Sequence, residues 1–215
     1  MSNAELNRAA DLVLASASPR RRELLERMGL SLRVLPADID ETPLPGEKPA
    51  DHVSRLAAGK CDAVWSRLTP AERERTAVLA ADTIVIVDDD ILGKPRDAGD
   101  ARAMLQRLCG RRHTVTTAYQ IRRPPDRQTA RAVSTAVSFR LLQPAELDAY
   151  IASGEWQGKA GGYAVQGIAA AFVTELRGSH TNVIGLPVAE VIADLLALDA
   201  LPGYPPAAFG GGGAG

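Results

Sequence analysis

The stretch LASASPRRRELLERMGL, residues 14–30, passes from a short apolar strand into a helix that begins with three arginines. Ser18 is a suitable N-cap, Pro19 suits the first helical position, and Gly29 predicts the end of the helix. The arginines are unexpected, because a helix N-terminus already carries partial positive charge and unpaired N–H groups. A bound anion would remove this conflict, so the stretch predicts a phosphate site. A solvated cationic turn is the alternative.

Arg21 is the arginine most suited to a buried site. It is spaced at helical intervals from the apolar positions Leu24, Leu25 and Met28, so it lies in line with the buried face of the helix. Arg22 points away from that face. The small residues that precede the helix, ASAS, would let a bulky anion approach the backbone.

Composition limits the class of protein. The chain has 215 residues, 46% of them hydrophobic and 24% charged, which is enough for one large domain or two lobes around a shared cleft. A net charge of −1 gives no basic field for duplex nucleic acid. Cys61 and Cys109 show no pairing or CxxC spacing, so we expect a reducing, cytoplasmic setting without structural zinc.

The chain shows no signal peptide and no apolar run long enough to span a membrane, so no membrane role is expected. The segment from Pro202, PGYPPAAFGGGGAG, is rich in proline and glycine. We therefore predict one catalytic domain over 1–201 and a disordered tail over 202–215.

Strands and helices alternate along most of the chain, with one long hairpin between them. The patterns predict strands at 12–16, 32–36, 78–87 and 168–176, helices at 50–68, 98–108, 144–151 and 187–197, and a hairpin of 113–122 with 129–142. This order favours an α/β fold with a mixed sheet over a purely parallel one.

Acidic residues form the first candidate catalytic group. Asp82 lies in the middle of the apolar strand VLAADTIVIV, where a carboxylate is costly unless it is paired or bound to metal. It is therefore a candidate base or metal ligand, with a structural salt bridge as the alternative. Asp38, Asp40 and Glu41 follow the second strand, and such loop oxygens suit Mg²⁺ or Mn²⁺ completed by phosphate, although a solvated loop is more usual.

Three lysines lie near the ends of predicted segments: Lys60, Lys94 and Lys159. Each alone fits a surface lysine, but together with two inward arginines they would suit a polyanion such as a triphosphate. The usual nucleotide fingerprints GxxxxGK[ST] and GxGxxG are absent from the Gly-rich loop at 153–167. The three histidines have no metal-ligand spacing.

Together these segments resemble the Maf family of nucleoside triphosphate pyrophosphatases, over about 12–195. The resemblance rests on blocks in the family order: LASASPRRRELL, DIDET, RLAAGK, AADTIV, LGKP, LCGRRHTVTTA, KAGGYAVQG and SHTNVIGLPVAEV. It implies an elongated mixed sheet with flanking helices and two lobes around a cleft, as in the inosine-triphosphate pyrophosphatases. A homodimer is a further expectation from the family.

The resemblance also implies the reaction, hydrolysis of a nucleoside triphosphate to the monophosphate and pyrophosphate with a divalent cation. Asp82 would accept the proton of the attacking water, and a metal would be held by Glu41 or by Glu41 and Asp82. The phosphate and metal site would be lined by Ser16, Arg21, Glu41, Lys60 and Lys94. Gly158 departs from the acidic residue that many members carry before KAG.

The base specificity implied by the resemblance is for pyrimidines. The positions that set base choice are matched by Arg20, Thr83 and Gln166, and this combination resembles the branch that acts on dTTP and UTP. Three alternatives stay open at this point: release of orthophosphate, action on a purine such as 7-methyl-GTP or ITP, and a nucleotide-sensing role in cell division.

Overall fold

The computed structural model describes residues 11–206. The predicted tail is thus described only as far as 206, and its remainder, 207–215, lies outside the described residues. In the described part of the tail, the Tyr204 hydroxyl donates a hydrogen bond to the sulfur of Met28 at 3.4 Å.

A seven-stranded mixed sheet forms the centre of the molecule. The strands are β1 (Asp11–Leu14), β2 (Leu32–Val34), β3 (Thr76–Val87), β4 (Asp90–Leu92), β5 (Arg112–Arg123), β6 (Arg127–Phe139) and β7 (Val173–Arg177). Their order is β2-β1-β3-β5-β6-β7, with β4 paired to β3. Strand β1 is parallel to β2 and β3, whereas the remaining pairs are antiparallel. The predicted mixed α/β sheet and its long hairpin are confirmed.

Helices cover both faces of this sheet. They are α1 (Pro19–Arg27), α2 (Pro49–Arg67), α3 (Pro70–Arg73), α4 (Ala98–Leu108), α5 (Pro144–Ser153), α6 (His180–Ile184) and α7 (Val188–Ala197). Two 3₁₀ turns, Ala160–Gly162 and Ile168–Phe172, lie between α5 and β7. Within 11–206, no helix combines the length and apolarity needed to cross a bilayer.

Strand β3 is buried on both faces because its side chains alternate between two helical layers. Val78 and Ala80 pack with α2 residues such as Val64, and Ile84 packs with Val53 and Ala57 of the same helix. On the other face, β3 residues pack with α1 and α7 at one end and with α4 and α5 at the other. Asp82 therefore faces the α2 layer, and Thr83 faces the opposite layer.

The chain between 167 and 185 differs from the sequence prediction. The strand predicted over 168–176 is a 3₁₀ turn followed by the short strand β7. The turn forms because the Glu155 carboxylate accepts hydrogen bonds from the N–H groups of Ile168 and Ala169, at 2.8 and 3.2 Å. Helix α6 was not predicted, although Ser179 caps it by accepting from Asn182 N–H at 3.2 Å.

The aromatic cluster beneath β5 leads to a prediction about pH. His113 packs edge-on against Phe139 and Tyr163, with ring centroids 5.0 and 5.4 Å apart, and its Nε2 lies 2.8 Å from the Tyr163 hydroxyl. Burial lowers the pKa of His113 to about 4. The unfolded chain therefore binds more protons between about pH 4 and 6.5, and stability falls as the pH falls through that window.

We expect the wild type to lose about 2 kcal/mol more unfolding free energy than His113→Phe between pH 7 and 4.5. Urea denaturation at the two pH values measures this difference. His180→Gln removes an exposed histidine and should behave as wild type. Equal losses in the wild type and His113→Phe would show that His113 is not held neutral by the fold.

Candidate active site

A cavity of about 740 Å³ opens where β1 ends and β3 continues. The two strands pair in parallel as far as Leu14 and Leu79, and Ala15 N–H still donates to Leu79 O at 2.8 Å. The chain then turns into α1, so β3 extends past its neighbour. On the β1 side, no described strand lies beside this part of β3, whereas its other edge pairs with Ala118 and Thr117 of β5. Both Asp82 and Thr83 therefore border the cavity although their side chains lie on opposite faces.

Every residue that the family resemblance placed in the site lines this one cavity: Ser16, Arg20, Arg21, Glu41, Lys60, Asp82, Thr83, Lys94 and Gln166. The other loop acids considered as metal ligands, Asp38 and Asp40, are not among its lining residues, and Asp40 Oδ1 accepts instead from Thr42 N–H at 2.8 Å. The structure thus brings together side chains that are up to 150 positions apart in the chain, as the predicted cleft requires.

Asp82 is paired with Lys60, which reaches across from α2. The Lys60 ammonium lies 2.6 Å from Asp82 Oδ1 and 2.5 Å from Glu41 Oε1, so it bridges the two carboxylates. Asp82 and Lys60 are both buried, with side chains 12% and 10% exposed, whereas the Glu41 side chain is 47% exposed. The pairing accounts for a carboxylate in the middle of an apolar strand.

Electrostatics keep Glu41 ionised. Burial acts to raise the pKa of the Glu41 carboxyl, but the hydrogen bond from Lys60 and the charges of Lys60, Lys94 and Arg21 outweigh it. The pKa of Glu41 therefore lies below its usual range. A carboxylate at this position is charged at neutral pH and available to a cation.

A second ion network holds the loop that carries Glu41. Arg55 of α2 donates from Nε and Nη2 to the two oxygens of Glu47, at 2.6 and 2.8 Å, and from Nη2 to Thr42 O at 3.1 Å. His52 Nδ1 lies 2.9 Å from the same Glu47 carboxylate. Since Thr42 directly follows Glu41, these bonds fix the loop on α2, the helix that also supplies Lys60.

Arg21 faces inwards, as its helical spacing predicts, but most of its donors are used by the protein. Its Nε donates to Gly185 O at 2.8 Å, Nη1 to Ser16 Oγ at 3.0 Å and Nη2 to Thr83 Oγ1 at 2.9 Å. A guanidinium has five N–H donors, so two remain for a ligand. Arg21 therefore joins the end of β1, the middle of β3 and the end of α6.

The start of α1 presents free backbone donors to the cavity. Ser18 occupies the N-cap position as predicted, but its side chain makes no capping hydrogen bond, and the first turn contains no acidic residue. The Ser16 hydroxyl accepts from Ser18 N–H at 3.2 Å as well as from Arg21. An uncapped helix start beside several cations is an arrangement that suits phosphate oxygens.

The sequence analysis missed Glu155, which also lines the cavity. Its oxygens accept from the 3₁₀ turn, and a Cβ on Gly167 would collide with this carboxylate. Glu155 thereby fixes the backbone directly after Gln166. The close approach of a glycine and a glutamate twelve positions apart has no periodic signal in the sequence.

The carboxylates of the cavity could hold a divalent cation together with substrate phosphates. Within 11–206 no cluster of three or more His, Cys, Asp or Glu side chains could hold a metal ion. Two carboxylates, Asp82 and Glu41, do face the cavity, and each has a second oxygen beyond the one bonded to Lys60. Mg²⁺ is commonly held by one or two carboxylates together with substrate phosphates and water, so the residues fit such an ion.

Comparison with known proteins gives the family. The model of the Maf-like protein family matches residues 11–198. The chain belongs to this family. The match includes every cavity residue named above.

Curated relatives of this Maf-like protein are similar over nearly their whole length. The dTTP/UTP pyrophosphatase of Sphingopyxis alaskensis is 53% identical over 85% of this chain and 93% of the relative. Proteins of the same name from Anaeromyxobacter dehalogenans and Cereibacter sphaeroides are 51% and 50% identical, covering 86% and 92% of this chain and 92% and 99% of their own.

Two solved structures resemble the Maf-like protein at low sequence identity. The Staphylococcus aureus Ham1 protein matches with a TM-score of 0.42 and 15% identity over 60% of this chain and 71% of its own. A nucleoside-triphosphatase / dITP/XTP pyrophosphatase from Mycobacterium abscessus matches with a TM-score of 0.41 and 15% identity over 88% and 96%. The α/β fold of this chain is established by its own strand order, described above.

The bridging position of Lys60 leads to a stability prediction. In Lys60→Met the buried Asp82 loses its cation and faces Glu41 directly, so we expect the unfolding free energy to fall by about 3 kcal/mol. Lys94→Met, which removes an exposed lysine from the same cavity, should change it by less than about 0.5 kcal/mol. Urea denaturation compares them, and equal effects would contradict a structural ion bridge.

Proposed function

We propose that the protein hydrolyses dTTP and UTP to the nucleoside monophosphate and pyrophosphate. The observation that carries this proposal is the buried Asp82 in a cavity with more cations than carboxylates. Five cationic side chains, Arg20, Arg21, Lys60, Lys94 and Lys159, line it with three acids, Glu41, Asp82 and Glu155. A polyphosphate would balance this excess.

The reaction proposed is an in-line attack of water on the α-phosphorus. Asp82 accepts the proton of the water as the new oxygen–phosphorus bond forms. Because Lys60 occupies Oδ1 of Asp82, the other oxygen is the one available to the water. The bond to the α–β bridging oxygen breaks, and its electrons leave with the pyrophosphate. Lys94 and the free donors of Arg21 stabilise the leaving group.

A divalent cation, Mg²⁺ or Mn²⁺, would be held by Glu41 and substrate phosphates, with Asp82 as a further ligand in the alternative arrangement. When bound, it supplies charge neutralisation of the phosphates and a lower pKa for a coordinated water. Lys60 sets the geometry in either case, because its ammonium holds one oxygen of each carboxylate and leaves the second oxygen of each available.

The base would lie towards Arg20, Thr83 and Gln166, all of which line the cavity. The Thr83 hydroxyl is already bonded to Arg21 and lies 2.9 Å from Thr117 Oγ1. Thr83 therefore holds the cavity wall in place, whereas Arg20 and Gln166 are available to bind the base. The choice of dTTP and UTP is supported by the name that the curated relatives carry.

Three further points stay predictions from the sequence. They are the domain boundary at residue 201, the homodimer and the cytoplasmic location. The family match over 11–198 lies inside the predicted domain.

A product assay across triphosphates tests the proposed function. We expect pyrophosphate, and no orthophosphate, from dTTP and UTP, with much slower release from 7-methyl-GTP and ITP. EDTA should stop the reaction, and Mg²⁺ or Mn²⁺ should restore it. Orthophosphate as the first product would exclude the proposed bond cleavage. Tight binding of UTP without turnover in the presence of either metal would favour the alternative, a nucleotide-sensing role.

Asp82→Asn tests the role of the strand carboxylate. The variant keeps the size of the side chain and an oxygen for Lys60, so it should fold, but kcat should fall by at least about 10²-fold because the proton acceptor is lost. Asp62→Asn, which removes an exposed carboxylate from α2, should retain wild-type kcat. Near-normal turnover in Asp82→Asn would assign the proton to another acceptor.

A further inference from the structure

One cation of the cavity has an unsatisfied buried donor. The Nε atom of Arg20 is buried and has no hydrogen-bond partner within 11–206, and no ion pair of Arg20 occurs in that range. Burial lowers the pKa of this guanidinium. A buried donor without an acceptor is unfavourable, so the position calls for an acceptor from outside the described chain.

Lys159 lies next to Arg20 and is also incompletely paired. Its ammonium donates to Gln157 O at 3.2 Å, which leaves two of its three N–H donors free. Burial and then the charge of Arg20 lower the pKa of Lys159, whereas Glu155 acts to raise it. The Glu155 oxygens already accept from Ile168 and Ala169, so the carboxylate is committed to the 3₁₀ turn.

Lys159 groups with Arg20 and Glu155 rather than with the Lys60 bridge. The charges that act on Glu41 are those of Lys60, Lys94 and Arg21, whereas Lys159 is affected by Arg20 and Glu155. Glu155 bonds the backbone just beyond Gln166, so Gln166 belongs to the same end of the cavity as Lys159. With the α-phosphorus at Asp82 and the base at Arg20 and Gln166, as proposed above, the nucleoside extends into this end.

We propose that Lys159 is a specificity-determining residue, which with Arg20 donates hydrogen bonds to the C4 carbonyl oxygen of the bound pyrimidine. The proposal rests on the proposed function. Uracil and thymine carry a carbonyl at C4, whereas cytosine carries an amino donor there. The side chains of lysine and arginine contain hydrogen-bond donors only. Lys159 and Arg20 therefore favour a base with a C4 carbonyl and disfavour a base with a C4 amino group.

Sulfur analogues of UTP test which carbonyl oxygen of uracil accepts these hydrogen bonds, because a thiocarbonyl is a weaker acceptor than a carbonyl. In the wild type, 4-thio-UTP should show kcat/KM about tenfold below that of UTP, while 2-thio-UTP should resemble UTP. In Lys159→Met, kcat/KM for UTP should fall by about 10- to 100-fold, the scale of a lost hydrogen bond from a charged donor. The preference for UTP over 4-thio-UTP should then shrink by at least about threefold.

Several outcomes would overturn the proposal. If Lys159→Met lowers kcat/KM equally for UTP, 4-thio-UTP and 2-thio-UTP, Lys159 contacts the phosphates instead of the base. If the substitution changes the preference for UTP over 2-thio-UTP, Lys159 contacts the C2 oxygen. Lys48→Met, a surface lysine outside the cavity, is the matched control and should equal wild type. If the wild type releases no pyrophosphate from UTP, the proposed function is contradicted as well. Equal decreases in kcat/KM for all three nucleotides in Lys159→Met contradict only the role of Lys159.

Discussion

The arrangement of the site depends on the Lys60 ammonium between Asp82 and Glu41. An unpaired carboxylate in the buried β3 strand would be too costly to retain, and an unpaired lysine in the core would be equally unfavourable. Each ion therefore requires the other, and Glu41 completes the bridge from the exposed side. The bridge joins a strand, a helix and a loop at the point where β1 ends and β3 continues.

The loop that carries Glu41 has no secondary structure, yet its position is well determined. The loop is tied to α2 by Arg55, through Thr42 O and the buried Glu47. The Ile39 side chain lies close to Gly59, beside Lys60, where an added Cβ would come within 3.3 Å of it. Bidentate pairing of a guanidinium with a buried carboxylate is more rigid than an exposed ion pair. Helix α2 thus positions both the cation and the loop carboxylate, which keeps their geometry independent of the far side of the cavity.

Much of this site follows from sequence because its signals are local. An acid in an apolar strand and an arginine at helical spacing from leucines each indicate a buried polar group, whereas Lys60 alone fitted a surface lysine and its burial became evident only from the structure. The strands and helices follow from periodicity in the same way. The 3₁₀ turn at Ile168–Phe172 does not, since it depends on Glu155. The strand predicted over 168–176 was therefore wrong in its first five residues, and only Val173–Arg177 forms a strand.

Helix α6 is a second element that the sequence pattern does not predict. Its five residues carry too little periodicity to be recognised, although the flanking Ser179 and Gly185 are a cap and a stop signal. The helix is held instead by the buried Asn182, whose amide donates to Val115 O and Thr135 Oγ1 at 3.0 and 2.9 Å. These are long-range bonds to β5 and β6, and no local pattern predicts them.

The adjacent arginines at the start of α1 explain why cations accumulate at a helix N-terminus. Arg21 is largely satisfied by the protein and ties β1, β3 and α6 together, so its charge is partly structural. Arg20 has a buried donor without a partner among residues 11–206, and the proposed ligand would supply the acceptor. Arg22 is exposed and lies 3.6 Å from Glu26, an i,i+4 pair. One helical turn therefore places three identical side chains in three environments, and only their angle around the helix decides which supports the fold, which meets the ligand and which faces water.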